Sequence, residues 1–240
     1  MEFLQVIALA ALPALGNFSG GVIAELLKTN ARMLSKALHV AAGIVVAVVA
    51  VELLPEALGG AEPWLVTIGF CLGGVAFIGL DSAIERLVGK NAAAGPWVIY
   101  AAVFVDLFSD GLMIGIGSTV SLGLALVLAI GQITADIPEG FATIANFRDK
   151  GVPRGKRFLL SASFVLAPLT GAIIGYWLLR DQSPSIQLTA LAFTAGLLLV
   201  AAVEEILGEA HASAEDSRFS ALFFIGGFAL FTLIASYLGG

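Results

Sequence analysis

VFVDLFSDGLMIGIG at residues 103–117 and GQITADIPEGFATIANF at residues 131–147 are two apolar runs that each carry a pair of acids near the middle. Runs of about twenty apolar residues are what a helix needs to cross roughly 30 Å of hydrocarbon. The chain around them is of the same kind. Of its 240 residues, 59% are hydrophobic and only 12% are charged, and mean hydropathy is +0.99. Globular domains carry roughly a quarter charged residues, so a soluble fold has no way to hide this much apolar surface. The expectation is an all-α integral membrane protein whose spans contain carboxylates.

Polar or Gly/Pro breaks divide the apolar runs into eight candidate helices, at about 3–27, 37–58, 64–80, 97–117, 121–147, 158–179, 186–209 and 220–238. If these alternate across the bilayer, one side receives Lys28, Arg32, Lys36, Arg86, Lys90, Arg148, Lys150, Arg154, Lys156, Arg157 and Arg218, and the other only Arg180. Such asymmetry marks the cytoplasmic side. It predicts both termini outside (extracellular or periplasmic) and a cytoplasmic basic loop at 148–157. That loop reads as a topology signal with a general attraction to anionic lipid. The first run has no basic segment before it and no small-residue cleavage site, so it is expected to remain in the mature protein as a helix. A single cysteine, Cys71, excludes an internal disulfide framework and any cysteine-based zinc site.

A faint internal repeat relates AGIVVAVVAVELLPEAL (residues 42–58) to AGLLLVAAVEEILGEAH (residues 195–211), pairing Glu52 with Glu205 and Glu56 with Glu209. At nearly the same offset Pro13 falls near Pro168, and Gly73-Gly74 near Gly226-Gly227. The two triplets enter from opposite sides. The sequence therefore predicts a 3+2+3 inverted-repeat arrangement in one transmembrane transporter domain over 1–240. Helices 1–3 occupy about 3–80, the central pair about 97–147, and helices 6–8 about 158–238. Repeat-built transporters place their substrate near the midplane, where the repeats meet.

Asp106 with Asp110, and Asp136 with Glu139, stand four and three residues apart, so each pair shares one helix face. A carboxylate at mid-membrane costs on the order of 2.5 to 3.5 kcal/mol, and no span offers Lys or Arg in compensation. Protons, cavity water or a bound cation must supply it, and a cation site accounts for the cluster most economically. Pro138 strengthens that reading, because proline removes a helical hydrogen bond and frees a carbonyl beside the acids. Gln132, Thr143 and Asn146 lie near the same face and either line a path or pack between helices. Helix 7 adds the adjacent Glu204 and Glu205, which point different ways, so one at most faces a central site, and then Glu209 and His211. Helix 2 carries Glu52 and Glu56 near its outer end, and His39 near its start. A lone interfacial histidine is ordinarily just solvated.

At these residues the chain resembles the ZIP (Zrt/Irt-like) family of divalent-metal transporters. The best match is Asp136-Ile137-Pro138-Glu139-Gly140 to the family's helix 5 motif. Asp110-Gly111 occupies the acid-glycine end of the helix 4 motif His-Asn-x-x-Glu/Asp-Gly, with Asp106 where the histidine would stand and Leu107 where the asparagine would. Helix 7 is similar to His-Glu-x-x-Pro-Glu-Ala-His, with Glu204 in place of histidine, Glu205 retained and Glu209-Ala210-His211 closing it. Glu52 to Ala57 resembles the family's helix 2 segment. Ala167 stands where an acid often precedes the helix 6 proline, and the histidine-rich loop between helices 3 and 4 is absent.

The resemblance implies a carrier of divalent ions of the Zn, Fe, Mn and Cd class, moving them toward the cytoplasm through a cell (inner or plasma) membrane, as a homodimer, with no enzymatic activity, no cofactor and no nucleic-acid partner. Asp106, Asp110, Asp136 and Glu139 would hold the ion. Glu205 would assist entry or release, with Glu204 and Ser109 as further candidates. Such an oxygen-rich site suits harder ions such as Mn²⁺, whereas imidazole would favour Zn²⁺. The rival readings are a relative that has lost transport and acts as scaffold or proton sensor, a carrier of a different cation, and an intramembrane enzyme. The last lacks His-Glu-x-x-His or a Gly-x-Ser with a facing histidine.

Overall fold

The computed structural model describes residues 2–27, 29–88, 95–212 and 217–238. Lys28 and Lys90 of the charge tally lie outside these residues. Within them every regular element is a helix, and eight helices are long and apolar enough to cross a membrane: α1 (Phe3–Leu26), α2 (Ala31–Gly60), α3 (Pro63–Ile84), α4 (Gly95–Val120), α5 (Leu122–Asp149), α6 (Arg154–Leu179), α7 (Pro184–Ala212) and α8 (Arg218–Leu238). The helix count agrees with the sequence reading, while several ends move outward. α2 begins six residues before the expected 37, because Asn30 caps it by accepting a hydrogen bond from the Met33 amide at 2.8 Å. Its first turns are polar and so escape a hydropathy reading.

Three helices are not regular. α2 widens into a π-helical stretch at Val48–Leu53 and α7 into another at Ala202–Ile206. They fall in the stretches 42–58 and 195–211 that the sequence sets side by side, and both carry glutamates. α6 breaks at Phe164 and Val165, where Pro168 four residues on has no amide to offer the Phe164 carbonyl.

Helix pairs are held together by glycines that bring backbone against backbone. A Cβ on Gly16 or Gly20 of α1 would collide with the Ile133 or Ile137 carbonyl of α5, and one on Gly171 or Gly175 of α6 with the Phe108 or Leu112 carbonyl of α4. Gly73 of α3 meets Phe193 of α7 in the same way, and Gly227 of α8 meets Val40 of α2. Lipid tails are as apolar as leucine, so close approach of this kind, rather than a hydrophobic drive, is what joins helices in a bilayer. α2 and α7 are the most enclosed spans, and α3 and α8 the most exposed. Large apolar side chains such as Leu4, Trp64, Val75 and Tyr237 face outward. At one end of the bundle Arg157 of α6 pairs with Glu25 of α1 at 2.5 Å, both side chains nearly enclosed, and donates a second bond to the Val152 carbonyl.

Candidate metal site

α4 and α5 run antiparallel, with Asp106 and Asp110 facing Asp136 and Glu139 near mid-span. Glycine packing fixes their depth. α1 lies against α5 at Gly16, where an added Cβ would stand 3.0 Å from that of Asp136, and the backbone of Asn17 abuts Gly140. Pro168 of α6 lies against Gly111, beside Asp110. Neither acid-bearing helix can shift without moving a backbone neighbour.

Asp106, Asp136 and Glu139 each offer a carboxylate oxygen within 4.8 Å of the others. Asp136 is buried, and Asp106 and Glu139 are half-buried. Oxygens at 2.0–2.6 Å from a common divalent ion are spaced in this range. Asp110 takes a different part: it accepts a hydrogen bond from the Gln132 amide of α5. It stands one turn, about 6 Å, farther along α4 than Asp106. The site is also rich in polar atoms that lack partners. Among the described residues the second oxygens of Asp110 and Asp136, the Gln132 carbonyl and both polar atoms of the Asn17 side chain are buried without a hydrogen bond. Each such orphan costs on the order of 1–3 kcal/mol. Several buried oxygens beside a three-carboxylate focus are the chemistry a hard or borderline divalent cation would satisfy. Pro138, lying between Asp136 and Glu139, also leaves the Thr134 carbonyl without its helical partner.

Asp106 and Glu139 open onto a cavity of about 270 Å³ that is also lined by Thr143, Asn146, Glu205 and Glu209. The cavity descends from mid-span toward the end of the bundle that carries the α5–α6 turn. Glu209 accepts a hydrogen bond from Asn146 at 2.5 Å. Both adjacent glutamates lie in the π-helical turn of α7, where Glu205 lines the cavity and Glu204 is exposed. Ser109 is buried and its hydroxyl donates to the Val105 carbonyl at 2.8 Å, which leaves only its lone pairs for a ligand. Glu52 and Glu56, which the sequence comparison sets against Glu205 and Glu209, line a separate cavity of about 380 Å³ with Leu188.

Three residues have surroundings that spacing along one helix does not disclose. For Asn17, a single amide inside an apolar run is the signal that the sequence offers. His39 and His211 are not solitary, since their rings stand 5.1 Å apart edge to face, with His39 buried and hydrogen-bonded through Nδ1 to the Ser35 carbonyl at 2.8 Å.

The model of the family described as ZIP Zinc transporter matches residues 87–235, more than half of the chain and all of α4 and α5. No curated protein matches the chain.

Proposed function

The chain belongs to the ZIP zinc transporter family, and from that premise we propose that it moves divalent metal ions through an oxygen-rich site built by Asp106, Asp136 and Glu139. As a family member it is a multi-pass membrane protein and a divalent-metal transporter. The observation that carries the finer reading is the convergence of three carboxylates within 4.8 Å at the head of a cavity. An ion leaving the cluster meets Glu205, then Asn146 and Glu209. Each offers oxygen to a partly dehydrated cation, so the ion need not shed all its ligands at once. Asp110 and Gln132 brace one another behind the cluster, and Asn17 supports it from α1.

With one acid in place of the family's helix 4 histidine, the donor set favours Mn²⁺ and Fe²⁺ relative to Zn²⁺, with Cd²⁺ accepted. The ion moves toward the cytoplasm through the cell membrane, and the cavity faces that side, along with Lys150, Arg154 and Lys156. Both termini lie outside, and the molecule is a homodimer built from single-domain copies.

Alternating access follows from the 3+2+3 inverted repeat, with the site at the meeting of the halves. What supports the repeat is that equivalent helices touch equivalently: Gly16 and Gly20 against α5 mirror Gly171 and Gly175 against α4, and Gly73 against α7 mirrors Gly227 against α2. Protons compete with metal for the same carboxylate oxygens.

The test is uptake of Mn²⁺, Fe²⁺, Zn²⁺, Cd²⁺ and Mg²⁺ into proteoliposomes by the intact protein and by the Asp136→Asn, Glu139→Gln double variant. Uptake that the variant loses supports the site. No uptake of any ion by folded protein would sink the transport reading in favour of a scaffold or proton sensor.

A further inference from the structure

A groove of about 440 Å³ opens where the start of α4 meets the α5–α6 turn, lined by Pro96, Trp97, Lys150, Pro153, Lys156 and Leu159 among others. It is distinct from the metal cavity, and its chemistry changes with depth. Lys150 and Lys156 stand at its mouth, both exposed, and among the described residues neither has an ion-pair partner. Lys150 lies alongside Gly95, the first residue of α4, where an added Cβ would stand 3.5 Å from its Cδ and 4.0 Å from its Nζ. The neighbouring arginines are engaged elsewhere, Arg154 and Arg157 both with Glu25. One turn deeper the groove turns apolar: Trp97 is 59% and Leu159 70% exposed. A tryptophan in the first turn of a span is a headgroup-level anchor.

We propose that this groove is a binding site for one anionic phospholipid, its phosphate held between Lys150 and Lys156 and its acyl chain lying along Trp97 and Leu159. Basic pockets between membrane helices hold anionic headgroups through this combination of charge and adjoining hydrocarbon. The bound lipid bears on the metal cavity, because the two share a wall. Trp97 lines the groove, while the next residues, Val98 and Ile99, line the cavity below Asp106. A lipid seated on the outer face therefore steadies the first turns of α4, and this consequence rests on the transport reading above.

Binding is measured apart from transport. The full-length protein in mild detergent is loaded with phosphatidylglycerol, with phosphatidylcholine of the same chains, or with glycerol phosphate, and retained ligand is read by native mass spectrometry. The Lys150→Ala, Lys156→Ala double variant is compared with Lys36→Ala, which removes a lysine held over Phe223 of α8. Phosphatidylglycerol retention should fall on the order of 30-fold in the double variant, the loss of two typical basic-residue increments. It should be unchanged in Lys36→Ala, and glycerol phosphate should not compete. Equal retention of phosphatidylcholine, equal retention by the double variant, or displacement by glycerol phosphate overturns the site. Metal uptake in vesicles with and without phosphatidylglycerol then reads the coupling. Lipid retention without any uptake would leave the binding site standing and sink the transport reading.

Discussion

Replacing Glu139 with glutamine keeps the shape of the side chain and removes one of three charges. The structure makes the consequence calculable. With the three carboxylate oxygens within 4.8 Å, each ionised pair repels by about 3.5 kcal/mol at an effective dielectric of 20. Glu139→Gln deletes two of the three pairs. The gain has a ceiling, because a carboxyl takes up a proton at neutral pH for about 4 kcal/mol once repulsion exceeds that. Each 1 kcal/mol of gain below that ceiling corresponds to a rise of about 2–4 °C in Tm for a chain of this length. The metal-free variant should therefore melt higher than the metal-free parent. Metal reverses the order of merit: at a hundredfold excess over Kd it stabilises a binding protein by about 2.7 kcal/mol, and the variant should lose most of that increment. Thermal unfolding in detergent, with chelator and then with Mn²⁺ or Zn²⁺, measures both. A variant that melts no higher than the parent without metal refutes the repulsion argument. One that keeps the parent's full metal-dependent shift refutes the placement of the ion at Glu139.

Gly140→Ala should lower the folded yield and cost about 1–3 kcal/mol, since the new methyl collides with the Asn17 backbone, which has no freedom to turn aside. Gly79→Ala, where nothing lies within 4 Å, should be neutral or stabilise by up to about 1 kcal/mol; thermal unfolding of the pair checks the contrast. Glu25→Leu, which strands the enclosed Arg157, should cost about 3–5 kcal/mol in thermal unfolding, and adding Arg157→Leu should recover much of it, whereas Arg157→Leu alone should cost less because Arg154 still reaches Glu25. Asp106→His should raise the preference for Zn²⁺ over Mn²⁺ in competitive uptake. Uptake of any ion should fall as the medium is acidified, and a rise on acidification, with folding intact, would overturn direct competition between proton and metal.

Parts of the site were legible because they depend on spacing within one helix. Asp106 with Asp110 and Asp136 with Glu139 share faces by periodicity alone, and Pro138 marks the local break wherever the helix lies. Which acids converge was not legible. Asp110 shares a face with Asp106 but stands a turn away along the axis, so it meets Gln132 while Asp106 meets Glu139. Glu204 and Glu205 point different ways on any helix, and only the packing of α7 sets the second at the cavity. Only the contact of Asn17 with Gly140 puts that amide beside the acids, and His39 and His211, 172 positions apart in the sequence, meet only where α2 and α7 pack.

Hydrocarbon length and the cost of an uncompensated charge act on each span separately, so the sequence by itself determined eight membrane-capable helices and a carboxylate-rich middle. The depth at which one helix stands against another is decided by glycine contacts between residues far apart in the chain. That depth, available only in the tertiary structure, is what gathers three acids around one point, leaves Glu52 and Glu56 in a cavity of their own, and sets two lysines and a tryptophan around one groove.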